Sequence, residues 1–349
     1  MKKYRWLIAG ISVIIAAFLL YSVFGYSFNI STENSNPTEA YFCPADDCFG
    51  IIASYISNAT EVDCALYTLN SAVIENALRE TDARLVSNEK CPEGIECRAK
   101  PSYRRGLMHN KFCVLDNSIV ITGSFNPNEN SKSYRNNAVV LYSRVLANVY
   151  SKEFEELWSG EFGKGGKGSA QVMLKDNSGD YKTSLPELSD GQFCQTSSII
   201  SRIVHNSNMA EVYFCPEDEC QTHLIEKIGK AEKSIYFLVY SFTDNEIADE
   251  LLGKIGEGVI VRGFFDKSQN SKWSVYPELE EKADVQVYGK GVLHHKVFII
   301  DNETVVTGSY NPTQNGNENN DENMLVLHDK RIAASFLAEF NSLSNPKAI

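Results

Sequence analysis

The chain has 349 residues, 43% of them hydrophobic with 18 Phe, enough for a packed core in two domains or one large duplicated unit and too apolar for global disorder. With 45 acidic residues against 33 basic ones it carries a net charge of −12 at pH 7, the opposite balance from a sequence-nonspecific nucleic-acid binder unless a local basic patch overrides it. Nine cysteines suit an oxidising compartment better than a reducing one.

Lys2, Lys3 and Arg5 precede Trp6–Phe24, a run with no charge, and the next charged residue is Glu33. Nineteen helical residues rise about 28 Å, close to the hydrocarbon thickness of a bilayer. The exit Ser22-Val23-Phe24-Gly25-Tyr26 is bulky and offers no A-x-A site. Residues 1–28 therefore read as an uncleaved transmembrane anchor, with a cleaved signal or a buried core helix as alternatives. The flanking cations place the N-terminus in the cytoplasm and the body outside it. Without Lys2, Lys3 and Arg5 that body is three charges more negative, about −15. Residues 26–38 are a polar tether.

Residues 39–160 form a first half and 209–345 a second, joined by a connection at 161–208 that opens near the run Gly163-Lys164-Gly165-Gly166-Lys167-Gly168. Tyr41-Phe42-Cys43-Pro44 with Cys48 recurs as Tyr213-Phe214-Cys215-Pro216 with Cys220, 172 positions later. Cys43–Cys48, Cys215–Cys220 and Cys91–Cys97 are expected disulfides, a zinc site being the alternative for the C-x4-C pairs. Cys64 and Cys113 fall in apolar strands and are expected to be buried free thiols, leaving Cys194 over. Tyr67-Thr68-Leu69 matches Tyr240-Ser241-Phe242 at an offset of 173. In the second half the patterning predicts strands at 211–214, 234–241, 259–265, 294–300, 304–307 and 324–327, with helices at 218–231, 245–255 and 330–343. The first half closes in the same way, with a strand at 138–143 and a helix at 145–158. Strands alternating with helices make each half an α/β sandwich.

The strongest repeat is a pair of 19-residue blocks, His109–Pro127 and His294–Pro312, 185 positions apart without insertion and identical at 10 positions. On a strand, residues i and i+2 share a face, so His109 projects with Lys111 and His294 with Lys296. Asp116 and Asp301 fall at the hairpin turns, and the return strands bring Ser124, Asn126, Ser309 and Asn311 back toward the imidazoles. Each half thus offers one imidazole, one permanent cation and two neutral hydrogen-bonding groups. Two halves related by a pseudo-twofold would place both sets on one cleft. The lysine ammoniums and the Asn and Ser donors suit the charge on phosphoryl oxygens, with one imidazole to attack phosphorus and the other to protonate the leaving oxygen.

In these residues the sequence resembles the phospholipase D superfamily, whose H-x-K-x4-D-x6-G-S-x-N signature stands complete in both halves. The resemblance implies a duplicated phospholipase D-like α/β sandwich whose two halves share one active site. It also implies a metal-independent, cofactor-free displacement through a covalent phosphohistidine, with His109 as nucleophile and His294 as general acid. Asp116 and Asp301 would hold their turns without touching substrate. Members of the family often place an acidic residue after the G-S-x-N loop to orient the histidine of the opposite half. The second half keeps it in Asp321-Glu322-Asn323, whereas the first reads Arg135-Asn136-Asn137. Crossed pairing would give Glu322 to His109 and leave His294 with Asn136 or Glu129.

Arg98, Lys100, Arg104 and Arg105 precede the first block, and Lys267, Lys272 and Trp273 form a weaker counterpart. Arg104 and Arg105 are candidates to guide an anionic substrate; a solvated loop face is the alternative. The expected function is a membrane-anchored, extracytoplasmic phosphodiesterase acting on phospholipid. The alternatives are an endonuclease acting on DNA or RNA, which the compact halves and basic cluster favour, and a phosphate-binding module without turnover. With both blocks in one chain, a monomer suffices.

Overall fold

The computed structural model describes residues 37–163, 170–173 and 209–344. The first half is a seven-stranded sheet in the order β1-β7-β6-β5-β2-β3-β4. Its strands are β1 (Glu39–Cys43), β2 (Glu61–Leu66), β3 (Asp82–Ser87), β4 (Glu96–Ala99), β5 (Lys111–Leu115), β6 (Ile119–Gly123) and β7 (Asn136–Tyr142). Helices α1 (Cys48–Ser57), α2 (Ala72–Arg79) and α3 (Arg144–Ser159) accompany it. The second sheet runs β12-β11-β10-β13-β14-β15-β9-β8. It contains β8 (Ala170–Met173), β9 (Met209–Cys215), β10 (Ser234–Val239), β11 (Ile260–Asp266), β12 (Asp284–Tyr288), β13 (Lys296–Ile300), β14 (Thr304–Gly308) and β15 (Glu322–His328). Helices α4 (Cys220–Gly229), α5 (Asn245–Gly256), α6 (Tyr276–Glu280), α7 (Gln314–Glu318) and α8 (Lys330–Ser344) complete this half.

In each sheet three parallel strands, β2-β3-β4 or β10-β11-β12, join an antiparallel set through β5 or β13. The C-terminal ends of the parallel strands therefore lie beside the N-terminal ends of the motif strands: Leu66 pairs with Lys111 and Val239 with Lys296. All the loops leaving those ends open on one side of the molecule. Helices α3 and α8 carry the apolar faces expected of them. Tyr150, Phe154, Phe336 and Phe340 are wholly buried in one cluster with Phe112 and Val139 of the first sheet and Phe214 and Leu238 of the second. Two further clusters lie under α1 and α2 and under α4 and α5. The molecule is thus layered helix–sheet–helix–sheet–helix, and the middle layer fixes the two halves against each other.

Both hairpins turn through three residues, the first two of them with left-handed backbone, at Asp116-Asn117 (φ 48° and 45°) and Asp301-Asn302 (φ 54° and 58°). The aspartates also clamp the neighbouring parallel strand. Asp116 Oδ1 accepts the amides of Thr60 and Glu61, both at 2.9 Å, and Asp301 accepts those of Glu232, Lys233 and Ser234 at 2.7–2.9 Å. They stand at the end of the hairpin away from the histidines, so their part is structural.

The three close cysteine pairs, Cys43–Cys48, Cys91–Cys97 and Cys215–Cys220, are disulfides, which removes the zinc alternative. The expectation of free thiols at Cys64 and Cys113 is corrected, for these two are bonded. They lie directly opposite each other on β2 and β5 with Cα atoms 4.1 Å apart, a register invisible to a reading of either strand alone. Phe237 and Phe298 hold the same register on β10 and β13. Strand β8 falls inside the connection expected at 161–208 and pairs with β9. Helix α6 lies in the longer connection between β11 and β12, which holds extra residues of the second half, and strand β12, the counterpart of β4, has no strong periodicity to announce it. Among the described residues no helix is long and apolar enough to cross a membrane. The anchor expected at 1–28 and Cys194 lie outside the described residues.

Replacing Asp301 by Ala removes the acceptor of three backbone amides, so Asp301→Ala is expected to lower unfolding stability by about 1–3 kcal/mol. Urea titration reads the loss. Phosphate-analogue affinity of the folded variant should stay unchanged, because the carboxylate sits at the far end of the hairpin.

Candidate active site

The segment entering β5 leans on the second half, and the segment entering β13 leans on the first. The His109 amide donates to the Asp321 carbonyl at 2.9 Å and the Asp321 amide to the Leu107 carbonyl at 2.8 Å. Reciprocally, His294 N donates to Arg135 O at 2.8 Å and Arg135 N to Val292 O at 2.9 Å. These short parallel bridges lay each histidine against the residue that precedes Glu322 or Asn136. Both imidazoles are buried, each 7% exposed.

The side chains cross in the same sense. His109 Nδ1 lies 2.6 Å from Glu322 Oε2, and His294 Nδ1 lies 2.8 Å from Asn136 Oδ1. His294 Nδ1 also approaches Ser124 O at 3.2 Å, and the Ser309 backbone stands in the same relation to His109. Glu129, the alternative partner for His294, is paired with Lys132 instead. Nδ1 is engaged on both rings, and His294 Nε2 lies 3.3 Å from Lys296 Nζ, so that cation stands beside the ring atom that would meet a ligand.

Gly123 and Gly308 let the G-S-x-N loops approach this close. Their φ angles are 142° and 138°, and a Cβ would come within 2.4 Å of Asn137 O or 2.3 Å of Asn323 O. Ser124 and Ser309, expected as donors to substrate, are wholly buried. Ser124 Oγ accepts Asn137 N at 3.0 Å and Ser309 Oγ accepts Asn323 N at 2.9 Å, while the Ser309 hydroxyl also supports Glu322. They pin the loops and so position the histidine partners. Asn126 and Asn311 differ in that each leaves its amide oxygen without a hydrogen-bond partner among the described residues. The open oxygen can only accept a proton donor, so any hydrogen bond from these two amides to an anion would come from their Nδ2 groups.

Lys111 Nζ donates to His109 O at 2.6 Å and Lys296 Nζ to His294 O at 2.8 Å. The sequence reading treats both as permanent cations, and burial changes that. Desolvation pushes Lys111 down to about 7, against the pull of Glu322, and holds Lys296 well below the ordinary lysine range, with Lys111 adding repulsion. Burial also lowers His109 and His294 well below the usual imidazole value, both lysines adding to the effect. Glu322, wholly buried, is pushed up to about 7 by desolvation, with Lys111 opposing. An oxyanion bound here would favour the charged forms of the two lysines and the two imidazoles.

The sequence reading missed a second set of crossed contacts. Asn137 Nδ2 reaches His295 Nδ1 at 3.0 Å and its Oδ1 accepts Thr307 Oγ1 at 3.0 Å. Asn323 Nδ2 donates to Asn110 Oδ1 at 3.0 Å and its Oδ1 accepts Thr122 Oγ1 at 2.8 Å. It also missed Tyr67 and Tyr240, whose rings lie 4.8 Å from His109 and 4.6 Å from His294, each under the neighbouring lysine. Their match across the repeat, in Tyr67-Thr68-Leu69 and Tyr240-Ser241-Phe242, was the available signal. Arg104 and Arg105 are exposed on the loop between β4 and β5, outside the buried cluster. No cluster of three or more His, Cys, Asp or Glu among the described residues is arranged to hold a metal ion.

Binding of an oxyanion such as tungstate at pH 8–9 is expected to be accompanied by net proton uptake, because Lys111, pushed down to about 7 when free, recharges beside the anion. Calorimetry in buffers of different ionisation enthalpy measures the uptake. It should fall by up to about one proton in Lys111→Met.

A family model described as "Cardiolipin synthase, PLD-like domain" matches residues 62–158 and 224–344, more than half of the chain, and both blocks lie inside the matched residues. The phospholipase D of Rickettsia prowazekii is 36% identical over 132 residues, 37% of this chain and 64% of that protein. The mitochondrial cardiolipin hydrolase of Chlamydomonas reinhardtii is 29% identical over 125 residues, 35% of this chain and 56% of that protein. The chain thus spans somewhat less than two thirds of the length of these curated relatives. The phosphatidylserine synthase of Haemophilus influenzae Rd KW20 superposes over 89% of this chain and 86% of its own with a TM-score of 0.61 and 11% identity, a likeness of fold. With the doubled signature inside the matched segments, the chain belongs to the phospholipase D superfamily.

Proposed function

We propose that this cleft hydrolyses a phosphodiester of a phospholipid in two displacements through a phosphohistidine, without a metal. The observation that carries the reading is the unequal crossed pairing of His109 with Glu322 and of His294 with Asn136. A carboxylate that accepts Nδ1–H leaves the Nε2 lone pair of a neutral His109 free to attack phosphorus. The bond to the leaving oxygen breaks as His294, charged once the phosphate anion is bound, delivers its Nε2 proton. In the second step His294 takes a proton from water, the oxygen attacks phosphorus, and the P–N bond returns its electron pair to His109. Lys111, Lys296, Asn126 and Asn311 offset the charge on the non-bridging oxygens. Arg104 and Arg105 lie farther out, where they would guide an anion toward the cleft.

Relatives named phospholipase D and cardiolipin hydrolase support the choice of phospholipid. Four disulfides among the described residues support an extracytoplasmic body, and the apolar run at 6–24 supports a membrane anchor. A nuclease is the second reading, favoured by the exposed Arg104-Arg105 pair beside the cleft.

The full chain, assayed in EDTA on phospholipid vesicles, on single- and double-stranded DNA and on a soluble chromogenic diester, tests both. Turnover of lipid and diester should persist in EDTA. His109→Asn and His294→Asn should each reduce it at least about a thousandfold. Cleavage of DNA without lipid would replace the phospholipid reading by the nuclease one.

The pH profile tests the pairing. Glu322 must be ionised to accept from His109, and its raised value of about 7 gives kcat/KM an acid limb, while loss of charge at Lys111, also at about 7, makes it fall again on the alkaline side. In Glu322→Gln the rate should drop about a hundredfold or more and this acid limb should vanish.

A further inference from the structure

The loops that leave the parallel strands put an unusual surface around the mouth of the cleft. Tyr103 is 83% exposed and Leu107 38% exposed on the loop after β4; Trp273 is 76% exposed on the loop after β11; Val73, 48% exposed, opens α2 after β2. These are four of the six large hydrophobics that stand exposed among the described residues. All four follow the C-terminal end of a parallel strand, the end at which Lys111 and Lys296 begin the motif strands. The segments 100–107, 267–275 and 289–293 carry Lys100, Arg104, Arg105, Lys267, Lys272 and Lys290 and no carboxylate, in a chain whose net charge is −12.

The tips are held in place. Lys100 Nζ donates to Arg104 O at 2.7 Å, Leu107 N to Asn320 Oδ1 at 3.0 Å, and Gly106 packs so closely on Asn319 that a Cβ would overlap its carbonyl. On the other side Ser274 Oγ and Val275 N both donate to Phe242 O at 3.2 Å, and Lys272 Nζ lies 4.8 Å over the Trp273 ring. Leaving so much of these aromatic and aliphatic side chains exposed on well-anchored loops forgoes packing that the fold could have used. A partner that is apolar just beneath an anionic surface would recover it.

We propose that this face docks on an anionic phospholipid bilayer, with Tyr103, Leu107 and Trp273 entering the interfacial layer and Arg104, Arg105, Lys267, Lys272 and Lys290 meeting the lipid phosphates. Aromatic rings settle at headgroup depth, and basic residues beside them are drawn to anionic lipid. A nucleic acid would match the cations but leave Leu107 without a role. The inference rests on the phospholipid reading of the same cleft: docking would bring the mouth to the headgroup plane, so that a lipid phosphate reaches His109 and His294 with little withdrawal from the bilayer.

The test uses the full chain reconstituted in vesicles of phosphatidylcholine alone or mixed with phosphatidylglycerol, both with brominated acyl chains. The emission of Trp273 is taken as the difference between the protein and its Trp273→Phe variant. Quenching of that emission should be at least about twofold stronger with phosphatidylglycerol and should be lost in Arg104→Glu/Arg105→Glu. Tyr103→Ser/Trp273→Ser should lower turnover of phosphatidylglycerol-containing vesicles about tenfold and leave turnover of a soluble chromogenic diester unchanged. Equal quenching in both vesicles, equal vesicle turnover by the double variant, or shielding of Trp273 by DNA and not by lipid would overturn the docking surface. Lipid hydrolysis without Trp273 quenching would discard the surface and keep the phospholipid reading. Quenching in a protein that cleaves only DNA would do the reverse.

Discussion

The amide of His109 donates to the carbonyl of Asp321, and that of His294 to the carbonyl of Arg135, so each motif strand begins against backbone supplied by the other half. Side chains repeat the exchange in two more layers. Glu322 and Asn136 take the Nδ1 positions, and behind them Asn323 and Asn137 reach across to Asn110 and His295. All of these groups are buried. A buried polar group without its partner is costly, so the halves cannot separate or slide without exposing or orphaning several at once. The apolar middle layer of α3 and α8 adds the area that holds them together, while the crossed hydrogen bonds fix the register.

Duplication would by itself give two equivalent histidines, and this chain breaks the equivalence at one position. A carboxylate behind His109 and an amide behind His294 present neighbouring imidazoles to different fields. In the proposed mechanism that difference separates attacking base from proton donor. The two buried lysines fit the same economy of charge. Desolvation holds both low, and in the proposed mechanism a phosphate beside them would favour their charged forms. Divergence elsewhere is structural, as where the Cys64–Cys113 bond of one half has a Phe237–Phe298 pair in the equivalent place of the other.

Much of the site was legible because it is written twice. His109, Lys111, His294 and Lys296 stand out through a repeat without insertion, and the crossed place of Glu322 followed from the family likeness. The α/β alternation gave most strands and helices of the second half, since its apolar runs are bounded by clear breakers. What the sequence hid depends on neighbours distant in the chain. The Cys64–Cys113 bond needs the register of β2 against β5. The loss of permanent charge at Lys111 needs its burial. Ser124 and Ser309 looked like donors to substrate, yet the amides of Asn137 and Asn323 arrive from another strand to occupy their oxygens. Strand β8 lies in a polar connection whose local composition favours no element.

The central claim, that the carboxylate side of the crossed pair makes His109 the nucleophile, is tested most directly by locating the covalent intermediate. The full chain is mixed with a labelled diester, quenched within the first turnover, digested at alkaline pH and its phosphorylated peptide sequenced by mass spectrometry. The label is expected on His109 and, with a nitrophenolate leaving group that departs without an acid, should accumulate in His294→Asn, where the second step lacks its base. Label on His294, or turnover without a phosphohistidine, would contradict it.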